Sequence, residues 1–359
     1  MIRKLDPTLY DWPLVLLVLG LNVAGLFVLA SAAPDPRLWK MQLLFSSVAL
    51  GAAVVLQLLR KETLYRLVLP AYVLSLVLLA AVLVLGREVN GARAWFVLGP
   101  LRFQPSEFAK LALILVLARS LQGRELVRLR DYLLPTLLAL PPIVLTVVEP
   151  DLGGALVMAA IAFGVFFARG LSWRHLALAA ALALVLVPTA IWPNLKPHQQ
   201  ERILVLLNPS SDPLGAGFQV IQSMIAIGSG GVAGKGYGQG TQAQLGFVPE
   251  RHTDFIFSVL AEEMGLVGAV AVLLTYAALL YRLGVMAFEA LHDADRLVIA
   301  GVISLLAFQL LVNVGVTLGV APVTGITLPL MSYGGTSLVT TYLALALAQL
   351  VYRDRYEPA

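Results

Sequence analysis

Carboxylates and cations set into apolar sequence mark where this chain could do chemistry. The stretch VPERHTDFIFSVLAEEMGLVGA at 248–269 holds Arg251, His252, Asp254, Glu262 and Glu263, and the sequence then runs apolar to Tyr281. A charge at membrane depth costs about 2.5–3.5 kcal/mol on insertion scales, so such residues face partners or water-reachable space rather than hydrocarbon. Read as one helix, the segment puts Glu262 about 12 Å deeper than Asp254 and roughly 80° around the axis, with Glu263 nearly opposite Asp254. The five cannot all line one site. Asp254, nearest the end that water and a polar substrate reach, is the candidate general base. Its alternative reading is an N-cap partnered by Arg251. Glu262 and Glu263 are expected to brace other helices through hydrogen bonds.

Two further constellations carry charge at helix starts. QPSEFAK (104–110) has Pro at a first helical position and Glu107 where the helix dipole favours an acid. Glu107 and Lys110, three apart, share a face. They read either as a self-neutralising pair or as a Lys held by Glu107 toward an anionic substrate. In VVEPDLGGA (147–155) Asp151 fits an N-cap, or else an acid at the mouth of an outer cavity that binds a cation or a sugar hydroxyl.

GSGGVAGKGYGQG (228–240) has seven glycines in thirteen residues. No strand precedes it, and Ser229 stands where a phosphate-binding P-loop needs its first Gly, so nucleotide binding is rejected. A structural turn, or a loop whose amides approach a phosphate-bearing ligand, remains. Absence of Cys excludes a disulfide framework or thiolate nucleophile, and His175, His198, His252 and His292 have no metal-ligand spacing.

These residues need a scaffold. Of 359 residues, 59% are hydrophobic and 13% charged, well under the roughly 25% charged content of soluble domains. The fold class is therefore an all-α polytopic membrane protein, one domain over 1–359. Runs near the ~20 residues that cross hydrocarbon fall at 12–31, 39–59, 65–86, 105–121, 132–149, 152–168, 173–193, 254–281, 295–319 and 322–351, ten spans in all. The basic start and ASAA of the N-terminus imitate a signal peptide, but the apolar run is too long for one, and an uncleaved first span is expected. The last span is interrupted by Pro322, Pro329, Gly334 and Gly335, which is tolerated where backbone is buried in protein or lines a cavity.

Lys and Arg set the orientation. With the N-terminus cytoplasmic, that side receives Arg3, Lys4, Arg60, Lys61, Arg66, Arg119, Arg124, Arg128, Arg130, Arg169, Arg174, Arg282, Arg296, Arg353 and Arg355. The remaining ten fall mostly in two long outer segments, 87–110 and 194–253, which are weak witnesses, so both termini are expected in the cytoplasm. Within the second, residues 214–231 have helical apolar spacing and are expected to form an interfacial helix.

Asn313, Gly319, Pro322, Gly325, Pro329, Ser332, Tyr333, Gly334, Gly335 and Ser337 resemble, at matching spacing, the C-terminal signature of the SEDS family (shape, elongation, division and sporulation). NGARAW, QPSEFAK, EPDLGGA, ERILVLLNPSSDP and DFIFSVLAEEMGLVG look like the family's other motifs, in family order, over almost the whole chain. Short termini place it nearer the elongation branch than the division branch. One departure is Glu149, which stands where Gln is common and adds a charge beside Asp151.

The resemblance implies a ten-span peptidoglycan glycosyltransferase of the bacterial cytoplasmic (inner) membrane, acting in cell elongation and shape. It would polymerise lipid II at the outer face beside a class B penicillin-binding protein. It implies Asp254 as the essential acid of a central outer cavity lined by Glu107 and Lys110, with Asp151 at the acidic position of the P-D-L-G turn. Polymerisation requires a base for the acceptor hydroxyl and cations for the departing diphosphate. Asp254 is assigned the first role and Lys110 with Arg93 or Arg202 the second, with Gln219 in the substrate-binding set. A divalent cation, Mg or Mn, held by Asp151 or Asp254 would assist, with inversion at the anomeric carbon and no organic cofactor. A lipid II flippase is the alternative, and a non-catalytic scaffold a third reading.

Overall fold

The computed structural model describes residues 7–33, 35–89, 92–99, 101–194, 200, 204–206, 208, 212 and 215–355. Its long helices are α1 (Trp12–Ala32), α2 (Pro36–Gln57), α3 (Lys61–Leu85), α4 (Pro105–Leu121), α5 (Leu133–Val148), α6 (Leu152–Ala168), α7 (Trp173–Leu186), α8 (Ala216–Gly230), α9 (Ile256–Glu289), α10 (Asp293–Thr317) and α11 (Gly335–Arg353). Seven helical segments are long and apolar enough to cross a membrane: α1, α2, α3, Leu129–Val148, α9, α10 and α11. Leu152–Ala168 and Trp173–Thr189 are apolar but shorter. α4 has 17 residues and carries Glu107, Lys110 and Arg119. Each of the ten expected segments contains a helix, but the last is helical only from Gly335 onward.

α4 sits at the centre. From Pro105 to Ala118 only Phe108 is other than buried, because α3, α5, α6, α10 and α11 all pack around it. A helix covered on every side can hold charged side chains only if they are paired. At the far end of the bundle Lys61 meets Asp295 at 2.9 Å, Tyr65 donates to the same carboxylate at 2.7 Å, and Arg353 pairs with Asp354.

The outer segment 87–110 opens with a three-stranded antiparallel sheet, so the all-α expectation is corrected. β1 (Arg87–Val89) pairs with β2 (Ala92–Leu98), which pairs with β3 (Leu101–Phe103). The sequence ARAWFVL ends in Trp, Phe, Val and Leu, and aromatic and β-branched residues of this kind favour a pleated strand. Gly99, at φ +61°, turns β2 into β3.

The expected break before the last helix is real. Residues 321–334 run without helix, and lone amides from neighbouring helices take up their backbone groups. Asn22 Nδ2 donates to Leu330 O at 3.2 Å and Gln42 Nε2 to Ser332 O at 2.9 Å, while Gln42 Oε1 accepts from Gly334 N at 3.2 Å. Tyr276 Oη donates to Pro329 O. Non-helical backbone at membrane depth persists only when its polar groups are satisfied in this way.

α9 also breaks. Gly265 has φ +65° and ψ −165°, and the glycine-rich run splints it. Leu266 N donates to Gly231 O at 2.9 Å and Val267 N to Val232 O at 3.2 Å, while Lys235 N and Gly236 N donate to Glu262 O and Glu263 O at 3.0 Å each. A Cβ on Gly234, itself at φ +80°, would come within 2.2 Å of Glu263 O, so only glycine fits. The run is a structural turn whose amides already serve protein acceptors.

α8 runs alongside the start of α9 in the same direction: Ser223 Oγ lies 2.6 Å from Ser258 Oγ, and seven residues on, Gly230 abuts Ala261. Its buried positions Gly217, Val220, Ser223, Ala226 and Gly230 form one stripe. It therefore packs lengthwise into the bundle rather than lying flat across it.

Candidate active site around Asp254

The turn that carries Asp254 is fixed by three successive carbonyls. His252 O accepts from Tyr333 N at 2.9 Å, Thr253 O from Ser332 Oγ at 2.6 Å, and Asp254 O from Asn313 Nδ2 at 2.9 Å. The same Asn313 amide donates to Ile326 O at 2.8 Å, so one side chain of α10 joins the Asp254 turn to the broken segment. α9 begins only at Ile256, with Phe255 as its N-cap residue. Asp254 is thus half-buried in a tight turn and is not the helix cap that the sequence allowed.

Two other elements converge on this turn. Gly325, at φ +71°, faces Asp254 so closely that a Cβ there would lie 3.9 Å from Oδ2. Its neighbour Thr324 touches α6, where a Cβ on Gly153 would meet Thr324 O at 2.5 Å. Gly153 belongs to the turn of Asp151. Asp151 Oδ1 caps α6 by accepting from Gly154 N at 2.8 Å, and Oδ2 accepts from Gln104 Nε2 at 2.9 Å and Ser106 Oγ at 3.3 Å. Both readings of Asp151 therefore shift: it is a cap, and its second oxygen anchors the start of α4.

One turn into α4, Lys110 Nζ lies 2.7 Å from Glu107 Oε1, with side chains 3% and 9% exposed. A buried ammonium with a single carboxylate partner keeps two N–H donors to direct at an incoming anion. The chain of contacts from Asp254 through Gly325, Thr324, Gly153 and Asp151 to Gln104 brings these sequence-distant residues to one end of the bundle.

Glu149, at the α5–α6 turn, is fully buried with both carboxylate oxygens lacking a hydrogen-bond partner. Burial, reinforced by the Asp151 charge, pushes its carboxyl up to about 8, so it is largely protonated at neutral pH. The residue that looked like an added negative charge is mostly neutral.

Of the remaining expected residues, Gln219 stands one turn before Ser223 on α8. Asp254 stands four residues before Ser258, the residue whose Oγ lies 2.6 Å from that of Ser223. Arg93 is exposed on β2. Arg202 lies outside the described residues. Arg251 Nε donates to Ala32 O at 2.7 Å, which ties the turn to the end of α1. Burial lowers His252 below the ordinary imidazole range, leaving it neutral at neutral pH.

Glu262 and Glu263 diverge as helical spacing requires. Glu262 receives Lys235 Nζ at 2.7 Å, Gln242 N at 2.8 Å and Ala243 N at 3.0 Å, while Glu263 receives Ser31 Oγ. Glu263 braces α1 as expected, but Glu262 holds the glycine-rich loop rather than another span.

Sequence reasoning missed Arg102, which lies within electrostatic reach of Tyr333 and whose carbonyl accepts from Thr336 Oγ1 at 2.8 Å. It also missed Asn22 and Gln42. A lone amide in an otherwise apolar span is their signal, because it stays in hydrocarbon only with a partner.

The arrangement offers a water-reachable carboxylate, a paired ammonium and a rigid backbone between them. That set suits proton removal from a hydroxyl beside an anionic leaving group.

Known proteins resemble the chain along nearly its whole length. A family model described as cell cycle protein, FtsW/RodA/SpoVE, matches residues 14–357. Peptidoglycan glycosyltransferase MrdB of Escherichia coli K12 is 38% identical over 355 residues, covering 98% of this chain and 94% of that protein. A chain solved in work on the structural coordination of polymerization and crosslinking by a peptidoglycan synthase complex is 52% identical with a TM-score of 0.87, covering 97% of this chain and 99% of that one. The crystal structure of Thermus thermophilus rod shape determining protein RodA is 46% identical with a TM-score of 0.76, covering 97% and 98%.

Proposed function

On the premise that the chain belongs to the FtsW/RodA/SpoVE family and is a peptidoglycan glycosyltransferase, we propose that it polymerises lipid II with Asp254 as general base. The 4-hydroxyl of the acceptor GlcNAc attacks the anomeric carbon of the donor MurNAc. A new C–O bond forms, the bond to undecaprenyl diphosphate breaks with its electron pair, and the hydroxyl proton passes to the Asp254 carboxylate. One displacement inverts the anomeric centre.

The observation that carries this reading is the clamp on the carbonyls of 252, 253 and 254, which holds one carboxylate rigidly without a helix around it. Rigid placement of a base is worth orders of magnitude in rate, because a 1 Å error costs about 100-fold. Lys110, held by Glu107, binds the diphosphate together with Arg93 or Arg202. Asp151 and Gln219 complete the substrate-binding set.

Among the described residues no three His, Cys, Asp or Glu side chains gather as a metal-ligand set, and Asp151 has both oxygens engaged. A divalent cation would therefore be held chiefly by the diphosphate, and the steps above do not route through one. We place the chain as one ten-span domain over 1–359 in the bacterial inner membrane, both termini cytoplasmic. It would work in cell elongation with a class B penicillin-binding protein.

The test is purified protein in liposomes with lipid II and that partner. Asp254→Asn is expected to lower polymer formation by about 100- to 10,000-fold. Polymer at the wild-type rate from that variant would overturn the mechanism. No polymer from the wild-type protein, with lipid II crossing the bilayer, would identify a flippase instead.

A further inference from the structure

The small sheet has two unlike faces. Directly paired residues of an antiparallel ladder project to the same side, and residues two apart along a strand do so as well. Arg87 pairs with Trp95, and Val97 pairs with Arg102. Val97 is two residues after Trp95. The ladder shifts register by one residue between the Arg87–Trp95 and Val89–Ala92 pairs, so alternation holds from Trp95 onward, and one face carries Arg87, Trp95, Val97 and Arg102. The other carries Ala94 and Phe96, with Phe103 paired to Phe96. Ala94 is 1% exposed and β2 packs on α3 and α4, while Phe103 on the outer strand is 37% exposed, so the second face turns to the bundle at its Ala94 end. Both arginines of the first face are exposed.

We propose that this face binds the growing glycan strand, as an anionic oligosaccharide whose sugar ring stacks on Trp95 and whose carboxylate-bearing side groups meet the arginines. Charge complementarity supports this occupant. Two guanidiniums flanking one indole suit a chain that alternates flat apolar sugar faces with carboxylates, since Arg binds carboxylate in a two-pronged geometry and an aromatic face accepts the ring. Continuity with the site supports it further. Arg102 is within electrostatic reach of Tyr333, Thr336 Oγ1 donates to Arg102 O, and Tyr333 N donates to His252 O, two residues before Asp254. The face thus begins where product leaves the base. A headgroup anchor built from the same residue types has no reason to abut that loop. The proposal rests on the polymerase reading and adds to it a surface that retains product between additions.

Two measurements separate this surface from the chemistry. In zwitterionic phosphatidylcholine liposomes with lipid II and the transpeptidase partner, Trp95→Ala and Arg87→Glu are expected to leave the rate of first bond formation within about twofold. Mean strand length should fall by roughly three- to tenfold, the change in release rate when one stacked or charge-assisted contact is lost. In the second measurement, purified glycan strand with stem peptides is bound to the protein in nanodiscs, where Arg87→Glu should weaken binding by about tenfold. Unchanged strand length with unchanged binding overturns the proposal. A shortening that appears only when phosphatidylglycerol is present also overturns it, in favour of a lipid-headgroup anchor. A wild-type protein that makes no polymer yet binds strand in an Arg87-dependent way would sink the polymerase reading and leave this surface standing.

Discussion

Asn313 Nδ2 donates at 2.9 Å to the carbonyl of Asp254 and at 2.8 Å to that of Ile326. One amide, 1% exposed, thereby fixes the distance between the candidate base and the broken segment that faces it. Asn313→Ala removes the amide donor shared by the two carbonyls, at about 1–3 kcal/mol each, and frees the Asp254 turn to shift. The expected result is a fall in turnover of about 100-fold with little change in apparent affinity for lipid II. Steady-state kinetics on protein that retains its melting temperature to within a few degrees reads this directly. An unchanged turnover would show that Asn313 positions nothing.

The Glu107–Lys110 pair can be separated into stability and activity. Removing only the cation, in Lys110→Met, strands a buried carboxylate and should cost about 3–5 kcal/mol, seen as a large drop in melting temperature. The double variant Glu107→Gln/Lys110→Met removes both charges and should recover most of that loss. Polymerisation should stay low in both. If the double variant polymerises normally, the pair only braces α4 and Lys110 has no part in holding the diphosphate.

Glu149 gives the protein a pH signature. Its carboxyl is raised from an ordinary 4.5 to about 8, by burial first and by Asp151 second. Below about 4.5 the folded and unfolded chains both hold the proton, and its burial costs little. Between about 4.5 and about 8 the unfolded chain has released it and the folded chain has not, so stability falls as pH rises, and levels off above about 8. Glu149→Gln removes the titration. Melting curves of the two proteins should coincide in acid and diverge toward pH 8, with the variant the more stable. Parallel curves across that range would count against a buried, unpaired carboxyl.

Much of this was legible in the sequence because apolar length and charge placement report directly on helices in a membrane. The helix starts at Pro105 and after Asp151 and the interruption between Pro322 and Gly335 all followed from capping chemistry and residue type. The sheet was overlooked because its strands of three, seven and three residues are short against the apolar helices flanking them, although the aromatic and β-branched run WFV in β2 favours a strand. Treating 254–264 as one helix failed for a different reason. Its first turn is shaped by donors 59–81 residues away, Asn313, Ser332 and Tyr333, and no local pattern encodes them. Glu149 was misjudged because its protonation depends on burial, which spacing alone does not reveal.

The glycine loop that splints the break at Gly265 lies ahead of that break in the chain, and biosynthesis reads the chain in the same order. At roughly 5–20 residues per second, residues 231–236 leave the ribosome a few seconds before Gly265 does. The carbonyls of Gly231 and Val232 are therefore already made when Leu266 and Val267 emerge needing acceptors. A circular permutant that began at Ile256 and ended with the loop would reverse this order. Its broken helix would have to wait, unsplinted, for nearly the whole remaining chain to be synthesised.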